Sequence, residues 1–217
     1  MEDKALVLLS GGMDSCWCLF WAKSRFKEVD TITFHYSQRH IKEIEMAYLL
    51  ARTANVSNFL MPVPQIPALG DSALVRPGSV SEKHRYGDLP ASFVPGRNIL
   101  FLTLAGMYAF KLGTHNLVGG MSQEDYSGYP DCREEAIRPI DEALSQGMDY
   151  PLAILTPLMY KSKAQSLLEA SEECLKAMKY TQTCYEGLRP PCRKCPSCLL
   201  REKAYKEAGL EDPLLNV

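Results

Sequence analysis

Ser10-Gly11-Gly12-Met13-Asp14-Ser15 follows directly on the apolar run Leu6-Val7-Leu8-Leu9, the layout of a strand, a Gly-rich turn and a helix start. Adjacent glycines let a backbone approach a ligand in conformations that a Cβ forbids. Ser10 and Ser15 add hydroxyls beside the amide N–H groups of a helix N-terminus, so the chemistry to expect is phosphate binding. The loop is neither a Gly-x-x-x-x-Gly-Lys-Ser/Thr nor a Gly-x-Gly-x-x-Gly sequence.

A second signal lies near the C-terminus. Cys184, Cys192, Cys195 and Cys198 form two overlapping Cys-x-x-Cys turns with a fourth cysteine upstream. Four thiolates close a tetrahedron around one ion and leave no open position, which predicts a structural zinc. An iron–sulfur cluster uses similar spacing and stays open as the alternative. Arg189, Arg193 and Lys194 lie close enough in sequence to offset the charge of a zinc tetrathiolate. The other four of the eight cysteines, Cys16, Cys18, Cys132 and Cys174, are scattered, so the pattern reads as metal rather than a disulfide framework.

Three further segments carry polar residues where loops should meet a ligand. Tyr36-Ser37-Gln38-Arg39-His40 opens a helix at the end of a strand. Phe93-Val94-Pro95-Gly96-Arg97-Asn98 runs straight into an apolar helix, and an arginine there opposes the helix dipole, which a ligand phosphate would explain. Gln123 to Arg133 sets Asp125, Tyr129, Asp131 and Arg133 around Gly128 and Pro130. Tyrosine rings can stack on a flat heterocycle and carboxylates can accept from its N–H edge. Lys161 and Lys163, after Pro157, are both candidates to reach a phosphate as point charges. Cys132 next to Arg133 has no second cysteine at motif spacing, which argues against a covalent role.

The elements that must position these residues alternate. Strands are expected at Leu6–Leu9, 29–35, 57–63, 115–119 and 152–155, and helices at 16–22, 38–54, 97–112, 132–146 and 161–173. The stretch 64–92 has no periodicity. The pattern predicts an α/β fold, an open parallel Rossmann-like sheet with ligands beyond the carboxyl ends of its strands, where the strand order reverses. A small C-terminal metal module would follow from about residue 180, dividing the chain into 1–179 and 180–217.

Composition narrows the class. With 24 Lys plus Arg against 26 Asp plus Glu in 217 residues, the net charge of -2 leaves no footprint for nucleic acid. No apolar run approaches the roughly 20 residues of a membrane span, and Ala5 to Leu9 is too short for a signal-peptide core. A soluble cytoplasmic protein without membrane partners is expected.

The first loop resembles the Ser-Gly-Gly-x-Asp-Ser loop of the PP-loop ATP pyrophosphatases, which cleave ATP between the α and β phosphates and adenylate a substrate oxygen. Taken in order, that loop, Gln38-Arg39-His40, Phe93 to Asn98, Asp125 to Arg133, Thr156-Pro157-Leu158 and the four cysteines resemble the 7-cyano-7-deazaguanine synthase family of queuosine precursor biosynthesis, over Val7 to about Pro213. The resemblance implies an ATP-dependent ligase that takes 7-carboxy-7-deazaguanine, ammonia and ATP with Mg2+, carries one structural Zn2+ per chain, and forms a homodimer.

It also implies a nucleotide site over Leu8, Leu9, Ser10, Gly11, Gly12, Met13, Asp14, Ser15, Cys16, Trp17 and Cys18. Ser10, Asp14, Ser15, Arg97 and Lys163 would serve the phosphates, and Arg39, His40, Asn98, Asp125, Tyr129, Asp131 and Arg133 the deazaguanine. Cys16-Trp17-Cys18 stands where the family pattern would have Thr-rich positions. Other readings keep the loop and change the rest: a relative that transfers deazaguanine to a protein, a tRNA-modifying enzyme, or a non-catalytic nucleotide sensor. Thiolation of tRNA would call for paired reactive cysteines and a basic surface, neither of which is evident.

Overall fold

The computed structural model describes residues 2–38, 41–69, 72, 89–123 and 129–215. Five strands, β1 (Glu2–Leu8), β2 (Phe26–His35), β3 (Ser57–Pro62), β4 (Asn116–Val118) and β5 (Ala153–Leu155), form one sheet in the order β3-β2-β1-β4-β5. Every neighbouring pair is parallel. Parallel neighbours need crossovers, and these are α1 (Met13–Arg25) and α2 (Lys42–Ala54) between β1, β2 and β3. The one-turn α3 (Ile66–Leu69) and then α4 (Arg97–Leu112) lead across to β4, and α5 (Glu134–Gly147) joins β4 to β5. The chain ends with α6 (Lys163–Leu168), α7 (Glu172–Ala177) and α8 (Pro196–Ala208).

The period of two along β1 sorts its side chains between two cores. Ala5, Val7 and Leu9 pack with α1, α2, α7 and α8, while Leu6 packs with α4 and α5 on the other face. A central strand covered on both faces reads as a continuous apolar run. The two threonines buried in β2 are satisfied: the Thr31 hydroxyl donates to Ser57 O at 2.8 Å and the Thr33 hydroxyl to Leu9 O at 2.7 Å.

Several boundaries differ from the sequence reading, each for a local reason. β1 begins at Glu2 because a parallel ladder needs backbone partners rather than apolar side chains, and Lys4–Glu28 and Lys27–Asp3 ion pairs at 2.7 Å decorate its exposed end. The helix expected over 132–146 starts only at Glu134, after a 3₁₀ turn at Pro130–Cys132. The helix expected over 161–173 is two. Ser162 and Gln165 close a capping box on α6, and a second cap, Ser171 Oγ accepting from Cys174 N at 3.2 Å, starts α7.

The C-terminal residues share the core of the sheet domain. Ala204 and Tyr205 of α8 lie in the same cluster as α1. Arg201 is buried and donates to both carboxylate oxygens of Asp212 at 2.7 and 2.8 Å, to Thr181 Oγ1 at 2.6 Å and to Thr183 Oγ1 at 3.0 Å. This fork fastens α8 to the segment that leads into the cysteines.

Candidate active site

The strand order reverses between β1 and β4, and a cavity of about 300 Å3 opens beyond their carboxyl ends. The Ser10–Ser15 loop leaves β1 here and forms one wall with Ser10, Gly12, Asp14 and Ser15. Its hydroxyls are tied together: Ser10 Oγ donates to Ser15 Oγ at 3.2 Å, Ser15 Oγ donates to Gly12 O at 3.0 Å, and Gly12 N donates to Ser10 Oγ at 3.3 Å.

The two glycines do different jobs. Gly11 has φ +87, and a Cβ there would meet the backbone oxygen of Glu43 at 2.2 Å. Its bare Cα therefore serves the close approach of α2 rather than of a ligand. A Cβ on Gly12 would meet nothing nearer than Ser10 Oγ at 3.4 Å, so the open side of the loop is at Gly12. Gly120, just past β4, fits against Asp14, where a Cβ would come within 3.2 Å of its backbone. The loop is also held from behind, because Gln182 N donates to Gly11 O at 2.8 Å.

Asp14 and Lys163 meet although they lie far apart in sequence. Lys163 Nζ donates to Asp14 Oδ2 at 2.8 Å and to Oδ1 at 3.1 Å, both side chains being partly exposed. Lys161 is turned elsewhere, paired with Glu169 and 5.9 Å from the centre of the Trp17 ring. The structure thus separates two lysines that the sequence left equivalent.

The opposite wall comes from the end of β2 and the start of α4. Phe34 and Phe101 stack with centroids 4.2 Å apart, and Tyr36 tilts against Phe101 at 5.5 Å. Arg97 Nη1 donates to the Tyr36 hydroxyl at 3.2 Å. Burial opposes the charge on Arg97, but Tyr36, Tyr129, Asp131 and Glu43 hold it firmly protonated. Burial raises the pKa of Tyr36, with Arg97 acting against it. Glu43 also lines this wall, and burial lifts its carboxyl to about 7, again against the pull of Arg97.

Asn98 and Tyr129 complete the wall. Asn98 Nδ2 donates to Cys132 Sγ at 3.2 Å, its backbone N donates to Asp131 Oδ2 at 3.0 Å, and the Tyr129 hydroxyl lies 2.6 Å from Ser92 Oγ. Asp131 is buried behind the wall, holding the start of α4. Arg133 is exposed at the start of α5 and lies off the cavity wall. Arg39, His40 and Asp125 lie outside the described residues.

Part of the expected nucleotide stretch faces inward. Leu8 and Leu9 reach the cavity, but Met13, Cys16 and Cys18 are buried in the core, the two cysteines at 0% exposure. Trp17 lines a separate hollow of about 260 Å3 between α1 and the α6–α7 link. A helix running back from the loop turns the side chains of Cys16, Trp17 and Cys18 away from the cavity and into packing positions. The sequence reading gave no role to Glu43, Gly120 or Gln182. Gly119-Gly120 after an apolar strand repeats the signal of Gly11-Gly12, whereas nothing local marks Gln182.

The four cysteine sulfurs of 184, 192, 195 and 198 all lie within 4.8 Å of one another, close enough to hold one metal ion. Cys192 Sγ accepts from the backbone N of Lys194 at 3.4 Å and of Cys195 at 3.3 Å, and these two bonds lower its pKa to about 6. The expected charge offset is partly spent elsewhere. Arg193 pairs with Glu202 at 2.7 Å, and Arg189 turns to Thr181 O at 3.2 Å, Met46 Sδ at 3.3 Å and Lys179 O.

A parallel sheet in this order, with a Ser-Gly-Gly-x-Asp-Ser loop at its switch point, defines an α/β protein of the PP-loop ATP pyrophosphatase type. Solved structures agree on the fold: a 4-thiouridine synthetase with bound RNA and ATP superposes with a TM-score of 0.54 at 14% identity over 95% of this chain and 50% of its own. A U34-tRNA thiolase from Methanococcus maripaludis gives 0.53 at 14% over 94% of this chain and 65% of its own. The family model described as "Queuosine biosynthesis protein QueC" matches residues 4–209, and the chain belongs to that family. Among its relatives is the 7-cyano-7-deazaguanine synthase of Chromobacterium violaceum, 45% identical over 99% of this chain and 94% of that protein. The Bacillus subtilis 7-cyano-7-deazaguanine synthase is 40% identical over 95% of each. Among the described residues, no helix is long and apolar enough to cross a membrane.

Proposed function

We propose that this chain is an ATP-dependent ligase that converts 7-carboxy-7-deazaguanine and ammonia to the nitrile 7-cyano-7-deazaguanine, in the queuosine precursor pathway. The observation that carries the reading is the shared cavity: the phosphate loop forms one wall, and a flat aromatic and polar wall of Phe34, Tyr36, Arg97, Asn98, Phe101 and Tyr129 faces it.

Hydroxide and oxide are poor leaving groups, so each carbon–oxygen bond is broken only after its oxygen carries AMP. A carboxylate oxygen attacks the α-phosphorus of ATP and pyrophosphate leaves. Ammonia then adds to the acyl carbon and AMP leaves, giving the amide. The amide oxygen attacks a second ATP, pyrophosphate leaves again, and loss of AMP yields the nitrile.

Gly12 N–H, Ser10 and Ser15 are suited to hold the departing pyrophosphate. Lys163, held against Asp14, and Arg97 offer positive charge to the phosphates, and Mg2+ arrives with ATP as co-substrate. Such fixed donors and cations act without reorganising during the reaction. Asn98 and Tyr129, with Asp131 behind them, are assigned to the deazaguanine, and so are Arg39, His40, Asp125 and Arg133.

The metal is read as zinc. A tetrahedral zinc with bonds of about 2.3 Å holds its sulfurs roughly 3.8 Å apart, and Cys192 and Cys198 lie 3.9 Å apart. A cluster interposes several irons and spreads its ligands further, so a single ion fits better. Zinc here would supply no reaction chemistry; Cys184, Cys192, Cys195 and Cys198 would use it to fix residues 180–217 on the catalytic part, 1–179. A cytoplasmic homodimer is the assembly we assign.

The test is a mass-spectrometric assay of purified protein with 7-carboxy-7-deazaguanine, ammonium, ATP and magnesium, following amide, nitrile, AMP and pyrophosphate together. Nitrile with AMP supports the synthase. Amide that never becomes nitrile would mean a single activation, and no turnover by zinc-loaded protein would overturn the assignment.

A further inference from the structure

Making a nitrile from ammonia removes protons from one nitrogen three times, and among the described residues those assigned above supply cations, hydrogen-bond donors and carboxylates that are already paired, but no unengaged base. Glu43, in the first turn of α2, is placed to fill that gap. Its main chain is fixed against the phosphate loop, its carbonyl oxygen sitting where a Cβ on Gly11 would fall. Its side chain belongs to the cavity that the loop and Arg97 enclose.

The other described acids near this cavity, Asp14 and Asp131, are engaged. Asp14 is closed by Lys163, and Asp131 accepts from Asn98 N behind the wall. The Tyr36 hydroxyl receives Arg97 Nη1. Cys132 Sγ accepts from Asn98 Nδ2. Among the described residues, no histidine or lysine lines the cavity, and no hydrogen bond ties the Glu43 carboxylate. Among the described residues, Arg97 from α4 and Tyr36 from the end of β2 are the groups electrostatically coupled to Glu43, and Asp14, Tyr129, Cys132 and Tyr185 line the same cavity.

We propose that Glu43 is the proton acceptor for nitrogen in both halves of the reaction, an inference that rests on the synthase reading above. In the first half the ammonia lone pair forms the C–N bond, the bond from carbon to the AMP oxygen breaks with its electrons on AMP, and an N–H proton passes to Glu43. In the second half the amide oxygen bonds to phosphorus and pyrophosphate leaves, which acidifies the nitrogen. Glu43 takes one N–H proton, returns it to solvent, and takes the last as AMP departs and the N–H electrons become the third C–N bond. A carboxyl lifted by burial to about 7 is matched to this work, ionised often enough at neutral pH and basic enough to accept.

The amide half-reaction isolates the proposal, because no ammonia takes part in it and its pH profile cannot report ammonium. Wild-type enzyme given the amide, ATP and magnesium should show an acid limb in kcat/KM near pH 7. Glu43→Gln should lower kcat for amide to nitrile by at least 100-fold, while carboxylate-dependent pyrophosphate release in a single turnover stays within threefold. Raising the pH to 9 should restore part of the first half, by supplying free ammonia, and none of the second. Nitrile formation from the amide within threefold of wild type, or loss of pyrophosphate release alongside nitrile, would overturn the proposal. So would a wild-type profile flat between pH 6 and 8, a measurement that does not depend on how the variant folds. Wild-type enzyme that makes no nitrile from either substrate would instead overturn the synthase reading itself.

Discussion

Lys163 Nζ lies 2.8 Å from one carboxylate oxygen of Asp14 and 3.1 Å from the other, so α6 closes on the first turn of α1 from 149 residues away. The contact joins the first helix after β5 to the phosphate loop and leaves a fixed positive charge beside it.

Lys163→Met should therefore slow pyrophosphate release by about 100-fold, the cost of removing one preorganised charge. Lys161→Met should change it by less than threefold, since Lys161 is committed to Glu169 and the Trp17 face. Single-turnover pyrophosphate release on both variants checks the pair.

Gly11→Ala and Gly12→Ala should separate folding from binding. The first forces a Cβ into the Glu43 carbonyl at a φ of +87 and should yield little soluble protein. The second meets only Ser10 Oγ at 3.4 Å and should keep the wild-type melting temperature while weakening ATP binding at least tenfold. Thermal melts and ATP titration read the two effects.

Removing one partner of a buried ion pair strands the other charge. Arg201 and Asp212 are exposed by only 3% and 6% of their side chains. Asp212→Ala should cost about 3–5 kcal/mol of stability, measured by denaturant unfolding.

Glu43 makes stability depend on pH with a definite sign. Its carboxyl is lifted from 4.5 to about 7 by burial, so the folded state holds a proton that the unfolded state releases. Stability should fall as pH rises from about 4.5 to about 7 and level off above. Glu43→Gln removes that penalty. It should be more stable than wild type at pH 8 by on the order of 2 kcal/mol, with the gap closing toward pH 4.5; calorimetry at both ends reads it.

A chelator should release one metal per chain and lower the melting temperature, because residues 184–198 lose the ion that gathers their sulfurs. Activity should fall with it, since Gln182, two residues before Cys184, holds Gly11 O at 2.8 Å. Elemental analysis beside a melting curve tests both, and re-addition of zinc should restore them.

Local sequence carried much of this structure. The alternation of apolar runs with helical periods marked all five strands and the parallel order of crossovers. The Ser-Gly-Gly-x-Asp-Ser loop and the Cys-x-x-Cys turns were legible because their chemistry depends on spacing within a few residues. Their order along the chain pointed to the family to which it belongs. The helix boundaries near Glu134 and Ser171 were not legible, because Pro130 and the Ser171 cap act against the periodicity around them.

What the sequence could not decide is which side chains share a face at the switch point. Cys16, Trp17 and Cys18 follow the phosphate loop in sequence yet turn into the core or to another hollow, because helical rotation carries them past it. Lys161 and Lys163 look alike in the chain and part only when α6 is docked on α1. Glu43 becomes a poised carboxyl because α2 packs onto Gly11 and sets its half-buried side chain in the cavity beside Arg97. Spacing fixes chemistry that is local; burial, pairing and pKa belong to the environment that distant segments make when they meet.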